Sequence, residues 1–235
     1  MFSHPLDRPV WSALTTRLSA FAVDDSSITA KAVRIDPEVG LFVAAADAGA
    51  GSVAALTDLC RRYPGSGLVE REDGPMGDVL PMGAAVALRI PLLQMTMPRL
   101  TRGGSEVADI RPLEDADAAE MEALAAMTQP GPFFSRTRAL GGFIGVRRDG
   151  RLIAMAGHRL KTDGFTEISA VCTHPDHRGQ GLAGALMRRL AEAILADGEI
   201  PFLHARAAHE TTIAFYRTLG FEARATMTYT VLSAE

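Results

Sequence analysis

The sequence predicts an α+β protein of mixed α/β layers, and three observations carry the prediction. The second half of the chain alternates helix, three strands, helix, strand, helix and final strands. Asp149-Gly150 stands between two apolar runs and marks a tight hairpin, because glycine accepts the positive φ that such a turn requires. A glycine-rich loop, Arg178-Gly179-Gln180-Gly181, separates a strand from a long amphipathic helix. With 235 residues, 47% hydrophobic and 22% charged, the chain is long and apolar enough to bury a core, which excludes wholesale disorder.

In the first half, Trp11, Leu14, Leu18 and Phe21 recur at helical spacing and predict an early amphipathic helix. Residues 30–35 and 41–45 read as short strands joined by the turn Asp36-Pro37-Glu38-Val39-Gly40. Residues 52–62 read as a helix capped by Gly51 or Ser52 and ended by Pro64-Gly65-Ser66-Gly67. The apolar run 84–97 contains Pro91, so it reads as two strands or as one edge strand. Thr101-Arg102-Gly103-Gly104-Ser105 is the linker candidate and divides the chain into domains 1–105 and 106–235.

In the second half, residues 115–127 place Ala118, Met121, Leu124 and Ala125 on one face, with acids in the first turn where a helix start favours them. Residues 142–147 and 152–160 form the predicted hairpin, and 165–173 a third strand. The helix over 179–196 carries the stripe Leu182, Leu186, Leu190, Ala193 and Ile194 and stops near Gly198. A strand over 202–205, a helix over 210–219 ended by Gly220, and strands over 221–232 complete the order.

Composition excludes several classes. The net charge is −4, so no global basic field draws the chain to nucleic acid. Cys60 and Cys172 are far apart, with no CxxC pair or Cys/His cluster, so no metal site is expected. No apolar run is long enough to span a bilayer, and residues 1–10 hold charges and two prolines where a signal peptide needs an apolar core. A cytoplasmic protein without membrane or nucleic-acid partners is the expectation.

The chemistry points to the glycine-rich loop. The first N–H groups of a helix have no intrahelical acceptor, and the positive end of the helix dipole stands behind them, so such a site favours phosphate or pyrophosphate. The Gly-Lys-Ser/Thr of a P-loop is absent. A dinucleotide fingerprint is nearly met by Gly179-Gln180-Gly181-Leu182-Ala183-Gly184, but antiparallel strands precede it where that fold needs parallel ones.

Arg178-Gly179-Gln180-Gly181-Leu182-Ala183 resembles the Arg/Gln-x-x-Gly-x-Gly/Ala pyrophosphate loop of the GNAT superfamily of N-acetyltransferases. Its lead-in, Val171-Cys172-Thr173-His174-Pro175-Asp176-His177, is similar to that family's strand and turn. Ala214-Phe215-Tyr216-Arg217-Thr218-Leu219-Gly220-Phe221 resembles its closing helix motif. The likeness covers roughly residues 107–235 and implies the acyl-CoA N-acyltransferase fold there, with acetyl-CoA as co-substrate and no metal.

The resemblance implies roles for individual residues. Val171 and Thr173 would pair with the pantetheine arm, and an N–H of Val171 or Cys172 would polarise the thioester carbonyl. Gly179, Gln180, Gly181, Leu182, Ala183 and Gly184 would donate N–H bonds to the pyrophosphate, with Arg178 adding charge. Tyr216 would protonate the departing thiolate, and Glu167 would take the amine proton directly or through water. Strict alternation puts Glu167, Ser169 and Val171 on one face of the strand. Phe133, Phe134 and Arg136 fall where relatives place an acceptor loop; the aromatics would wall the acceptor and Arg136 would hold a carboxylate. His158 would line the same pocket, while His174 and His177 would cap the loop. His209 departs from the family pattern, which often has asparagine there. Cys172 has no evident base beside it, so direct attack of amine on thioester is expected.

The acceptor is then a small-molecule or peptide amine. The alternatives are a non-catalytic acyl-CoA-binding sensor and a nucleotide-binding oxidoreductase. The first half lacks a loop of this type and is expected to be a degenerate GNAT-like half that shapes the acceptor pocket. Exposed final strands would allow a homodimer.

Overall fold

The computed structural model describes residues 4–23, 31–101, 103 and 109–233. The strands are β1 Ala22–Val23, β2 Ala32–Ile35, β3 Val43–Ala45, β4 Gly67–Arg71, β5 Val86–Thr96, β6 Ile110–Pro112, β7 Ile144–Arg148, β8 Arg151–Thr162, β9 Phe165–Thr173, β10 Ile200–Arg206 and β11 Glu222–Leu232. The α-helices are α1 Pro9–Thr15, α2 Ala50–Arg62, α3 Ala118–Thr128, α4 Leu182–Ala196 and α5 Glu210–Leu219. Strands β4-β11-β5-β10-β9-β8-β7-β6 form an eight-stranded sheet, and β1-β2-β3 a three-stranded one. A parallel bridge between Phe42 and Gly67 links the two. This is the expected mixed α+β architecture.

Both faces of the large sheet are covered. On one face α4 buries Leu182, Leu186, Met187, Leu190, Ala191 and Ile194 against Ile153, Ile168 and Leu203. Each fully buried Leu or Met contributes about 1.5–3 kcal/mol. On the other face Leu6, Val10 and Leu14 of the N-terminal segment and α1 pack with Leu92, Leu160, Phe202 and Met227. There α3 buries Met121 and Leu124 beside Met155 and Cys172. The predicted hairpin forms, with Asp149 at φ 50° and Gly150 at φ 78°.

In the first half β1 and β4 were not expected, and three further elements differ in extent or place. The early helix is short, because the Thr15 and Thr16 hydroxyls donate back to the Trp11 and Ser12 carbonyls at 2.7 and 2.6 Å and the chain tightens into a 3-10 turn at Ser19–Phe21. The helix after the second turn begins at Ala50, two residues earlier than expected, with Gly49 as its N-cap. The Pro91 strand is one continuous strand in the middle of the sheet, not an edge. Its carbonyl accepts from Ala207 N at 3.0 Å, so the ring nitrogen faces the β10 side, where the ladder ends at Arg206–Leu92. The missing N–H therefore costs no bond to β11.

The order of elements repeats. Antiparallel β1-β2-β3, then α2, then β4 bridged in parallel to β3, then β5, corresponds to antiparallel β7-β8-β9, then α4, then β10 parallel to β9, then α5 and β11. The last strands are exchanged: β5 pairs with β10, and β11 with β4. Where strands over 221–232 were expected at an exposed edge, a single strand β11 lies between β4 and β5. It offers no free edge for pairing two copies. The division into 1–105 and 106–235 likewise does not separate two sheets, since β4 and β5 sit in the same sheet as β10 and β11. Arg102, Gly104, Ser105 and the expected boundary itself lie outside the described residues. Among the described residues, no helix is long and apolar enough to cross a membrane.

Candidate functional site

The sheet opens between β9 and β10. Their parallel pairing covers only Phe165–Glu167 with Ile200–Phe202; beyond it β9 stays with β8 and β10 with β5. Ala170 sits at φ 52° in an irregularity of the β8–β9 ladder. This inserted residue resets the alternation. Glu167 faces the α3 side, while Val171 packs with the α4 core, as Ile168 does, and Cys172 with the α3 core. Glu167 and Val171 therefore do not share a face, contrary to the strict period-2 reading.

The opening leads to the glycine-rich loop. Gly179 and Gly181 have φ of 76° and 75°, and Gly181 is the N-cap of α4, which starts three residues later than the sequence indicates. A Cβ built on Gly179 meets no protein atom within 4 Å, so the positive φ, not crowding, requires glycine there. A cavity of about 450 Å³ is lined by Thr128, Val171, Cys172, Thr173, His177, Arg178, Gly179, Gln180, Gly181, Leu182, Ala183, Gly184 and Phe215. Every residue the sequence nominated for the co-substrate thus lies on one surface. Arg148 donates to Gln180 Oε1 at 3.0 Å and adds a cation beside Arg178. The His174 ring accepts from Asp176 N at 3.3 Å and caps the loop. The Cys172 thiol is buried, and burial raises its pKa, which disfavours a thiolate.

Glu167 is fully enclosed, with 0% exposure. Oε1 accepts from Arg159 Nη2 at 2.6 Å and His204 Nδ1 at 2.7 Å; Oε2 accepts from Arg159 Nε at 2.9 Å and Leu160 N at 3.2 Å. Burial by itself raises its pKa, but the Arg159 charge and hydrogen bonds, with those of His204, outweigh burial and take it down to about 2. A carboxylate so held is a poor proton acceptor. The expectation of a general base at Glu167 is corrected to an anchor for Arg159 and His204. The cluster continues through Gln94, which donates to His204 Nε2 at 3.0 Å and to Leu6 O at 2.9 Å and accepts from Arg224 at 2.7 Å. Arg224 in turn pairs with Asp7 at 2.6 Å.

Beside this cluster lies a larger cavity of about 790 Å³. Its walls include Phe133 and Phe134 from the loop after α3, Phe42, Val69 and Tyr229 from the exchanged half of the sheet, Leu88, Ile90 and Leu92 from β5, and Arg159, His204 and Arg206. Thr128 lines the smaller cavity and Gln129 the larger, so the end of α3 separates them. The first half of the chain thus supplies part of the wall. Arg136, in contrast, is turned to Asp36 and Glu38 at 2.9 and 3.2 Å and does not line the cavity; it clamps the 36–40 turn. His158 lies on the other face of β8 from Arg159. Its two ring nitrogens are buried without hydrogen-bond partners, and burial lowers its pKa to about 4. It is a packed ring against Gly142, whose added Cβ would come 2.2 Å from it, and not a pocket residue.

Tyr216 packs against Phe215 and Phe221 with ring centroids 5.6 and 6.0 Å apart, and burial raises its pKa. It lines neither cavity, standing one residue beyond Phe215, which does. His209 is the N-cap residue of α5 without a side-chain cap bond. Sequence reasoning missed Arg159, His204, Gln94 and Arg206. Arg159 offered one signal, a cation inside a strand two residues from a glycine.

Comparison with known proteins agrees with this geometry. The family model described as FR47-like protein matches residues 143–231. A GNAT-family protein of solved structure from Novosphingobium aromaticivorans DSM 12444 is 40% identical, over 99% of this chain and 100% of that one, with a TM-score of 0.86. A GCN5-related N-acetyltransferase from Kribbella flavida is 22% identical over 94% and 93% of the two chains, with a TM-score of 0.63. An acetyltransferase from the GNAT family of Colwellia psychrerythraea is 14% identical over 99% and 98%, with a TM-score of 0.52. These last two show likeness of fold. No curated protein matches the chain at a significant level. Acyl-CoA is the co-substrate of the GNAT family, and the full-length identity to the first structure, with the open glycine loop at the splayed strands, makes this chain a member of the GNAT family of acetyltransferases.

Proposed function

We propose that the protein transfers an acetyl group from acetyl-CoA to a primary amine by direct attack. The observation that carries this is a pair of cavities on either side of the end of α3: one at a helix-N-terminal loop suited to pyrophosphate, beside the splay of β9 and β10, and one with apolar walls. The amine nitrogen attacks the thioester carbonyl, a C–N bond forms, the C–S bond breaks, and the amine loses a proton as the thiolate gains one. A backbone N–H of Val171 or Cys172, where β9 has parted from β10, suits the developing oxyanion. Tyr216 stays protonated, since burial raises its pKa, but it lines neither cavity and would need to turn from between Phe215 and Phe221 to protonate the thiolate. No free carboxylate waits for the amine proton at Glu167. Desolvation in the cavity would instead lower the amine pKa and raise its neutral fraction.

The test is CoA release from acetyl-CoA across a panel of amines, with calorimetry for acetyl-CoA. Turnover of at least one amine class is expected, and Cys172→Ala is expected to retain it. Acetyl-CoA binding without CoA release from any amine would overturn the transfer reading in favour of a sensor. Loss of turnover in a folded Cys172→Ala variant would overturn direct attack.

A further inference from the structure

The larger cavity carries an uneven set of polar groups on apolar walls. Arg159 is fixed by two nitrogens on Glu167, while Nη1 has no hydrogen-bond partner among the described residues. That nitrogen lies beside the loop wall, 4.0 Å from where a Cβ on Gly131 would stand. The guanidinium of Arg206, the last residue of β10 and two residues from His204, makes no ion pair or hydrogen bond among the described residues. The Arg159 charge is balanced by Glu167 and Arg206 is exposed at the cavity rim, so what the cavity presents is a pair of open guanidinium edges, whose planar N–H groups fit a carboxylate. Among the described residues that line the cavity the one carboxylate, Glu122, comes from a different wall, α3, and makes no ion pair there. It suits the ammonium group of an arriving substrate. Phe133, Phe134 and Leu88 supply apolar surface for a body of some size.

We propose that the acceptor is an amine that also bears a carboxylate on an apolar body, an aliphatic or aromatic amino acid, with Arg206 and the free nitrogen of Arg159 taking the carboxylate. Glu167 is then a positioning residue: it fixes the guanidinium plane so that one edge stays open to the cavity. The proposal rests on the acetyl-transfer reading. It goes beyond that reading by naming what the acceptor must carry besides its amine.

The experiment compares phenylalanine, phenylalaninamide and phenethylamine as acceptors in the CoA-release assay. The amino acid is expected to have a kcat/KM at least tenfold above both uncharged analogues. In Arg206→Gln that ratio is expected to fall by tenfold or more, with the change carried by KM. Equal use of the amide or the decarboxylated amine, or an unchanged ratio in Arg206→Gln, would overturn the proposal. Should no acceptor release CoA, the transfer reading fails separately, and calorimetry of phenylalanine with the CoA-loaded protein still decides: binding that Arg206→Gln weakens tenfold upholds the carboxylate site, and no binding refutes it.

Discussion

Replacing Glu167 by glutamine keeps the shape of the side chain and removes its charge, so it separates an anchor from a base. The structure gives the size of the effect. The Glu167 pKa falls from its ordinary 4.5 to about 2, and at 1.36 kcal/mol per unit this amounts to about 3 kcal/mol of stability linked to the ionised form. Glutamine also leaves the buried Arg159 without its counter-charge, and breaking such a pair costs about 3–5 kcal/mol. The depressed pKa fixes the sign: the contribution is present above pH 4.5 and is lost as pH falls toward 2. Denaturant unfolding of Glu167→Gln at pH 7 should show a loss of about 3–5 kcal/mol relative to the parent, with the gap closing as both are acidified. Because Glu167 is already ionised throughout the working range, the kcat/KM profile of the folded variant between pH 6 and 9 should keep the shape of the parent profile. A variant of parental stability whose turnover falls a thousandfold, with an ionisation limb near neutrality abolished, would refute the anchor and restore the base.

Other substitutions test separate parts of the account. Gly181→Val puts a β-branched residue at φ 75°, so acetyl-CoA binding by calorimetry should weaken at least tenfold; an unchanged affinity would remove the loop from the site. His158→Phe removes two buried nitrogens without partners and should stabilise the fold by about 1–3 kcal/mol. His158 is buried neutral, so its contribution is complete above pH 6.5 and lost as pH falls toward 4, and the phenylalanine variant should show a flatter stability profile across that window. A fragment of residues 107–235 lacks β5 and leaves β10 and β11 unpaired on facing edges, so it should aggregate or fail to give a cooperative melt. A soluble, cooperatively folded fragment would show that the exchange of strands is dispensable.

Much of the second half was legible because its signals are local. Asp149-Gly150 demands one turn, the Leu182, Leu186 and Leu190 stripe demands one helix, and residues 165–173 and 210–219 match their observed elements to the residue. The co-substrate loop was legible for the same reason, since two glycines at positive φ and a helix start are adjacent in sequence. What sequence could not supply is long-range. Pro91 reads as an edge signal until one knows that its carbonyl meets Ala207. Alternation along β9 places Glu167 beside Val171 until a positive φ at Ala170 shifts the phase. Arg159 and His204 converge on Glu167 from two strands, with Gln94 of a third behind His204, and no spacing in the chain announces that meeting. Arg136 and His158 were drawn toward the pocket by their position in the order of elements, but the side chains turn to Asp36 and to Gly142.

The repeated order of elements explains why the two halves do different work. In the second half the N-terminus of α4 opens on empty space at Gly179. In the first half the corresponding helix, α2, has its N-terminus filled by the chain itself. Asp47 Oδ1 accepts from Gly49 N at 2.8 Å, and Lys31 Nζ would lie 2.8 Å from a Cβ at Gly51. An internal carboxylate already satisfies the orphan donor that would otherwise greet a phosphate, and displacing it would cost its hydrogen bond. With that loop closed, the first half is free of any constraint to hold a cofactor. Its strands can serve the other cavity instead: β5 crosses to lie against β10, and Phe42, Val69 and Leu88 become wall. The exchange of β5 and β11 is what makes this wall rigid, because neither half can move without breaking the sheet that both share.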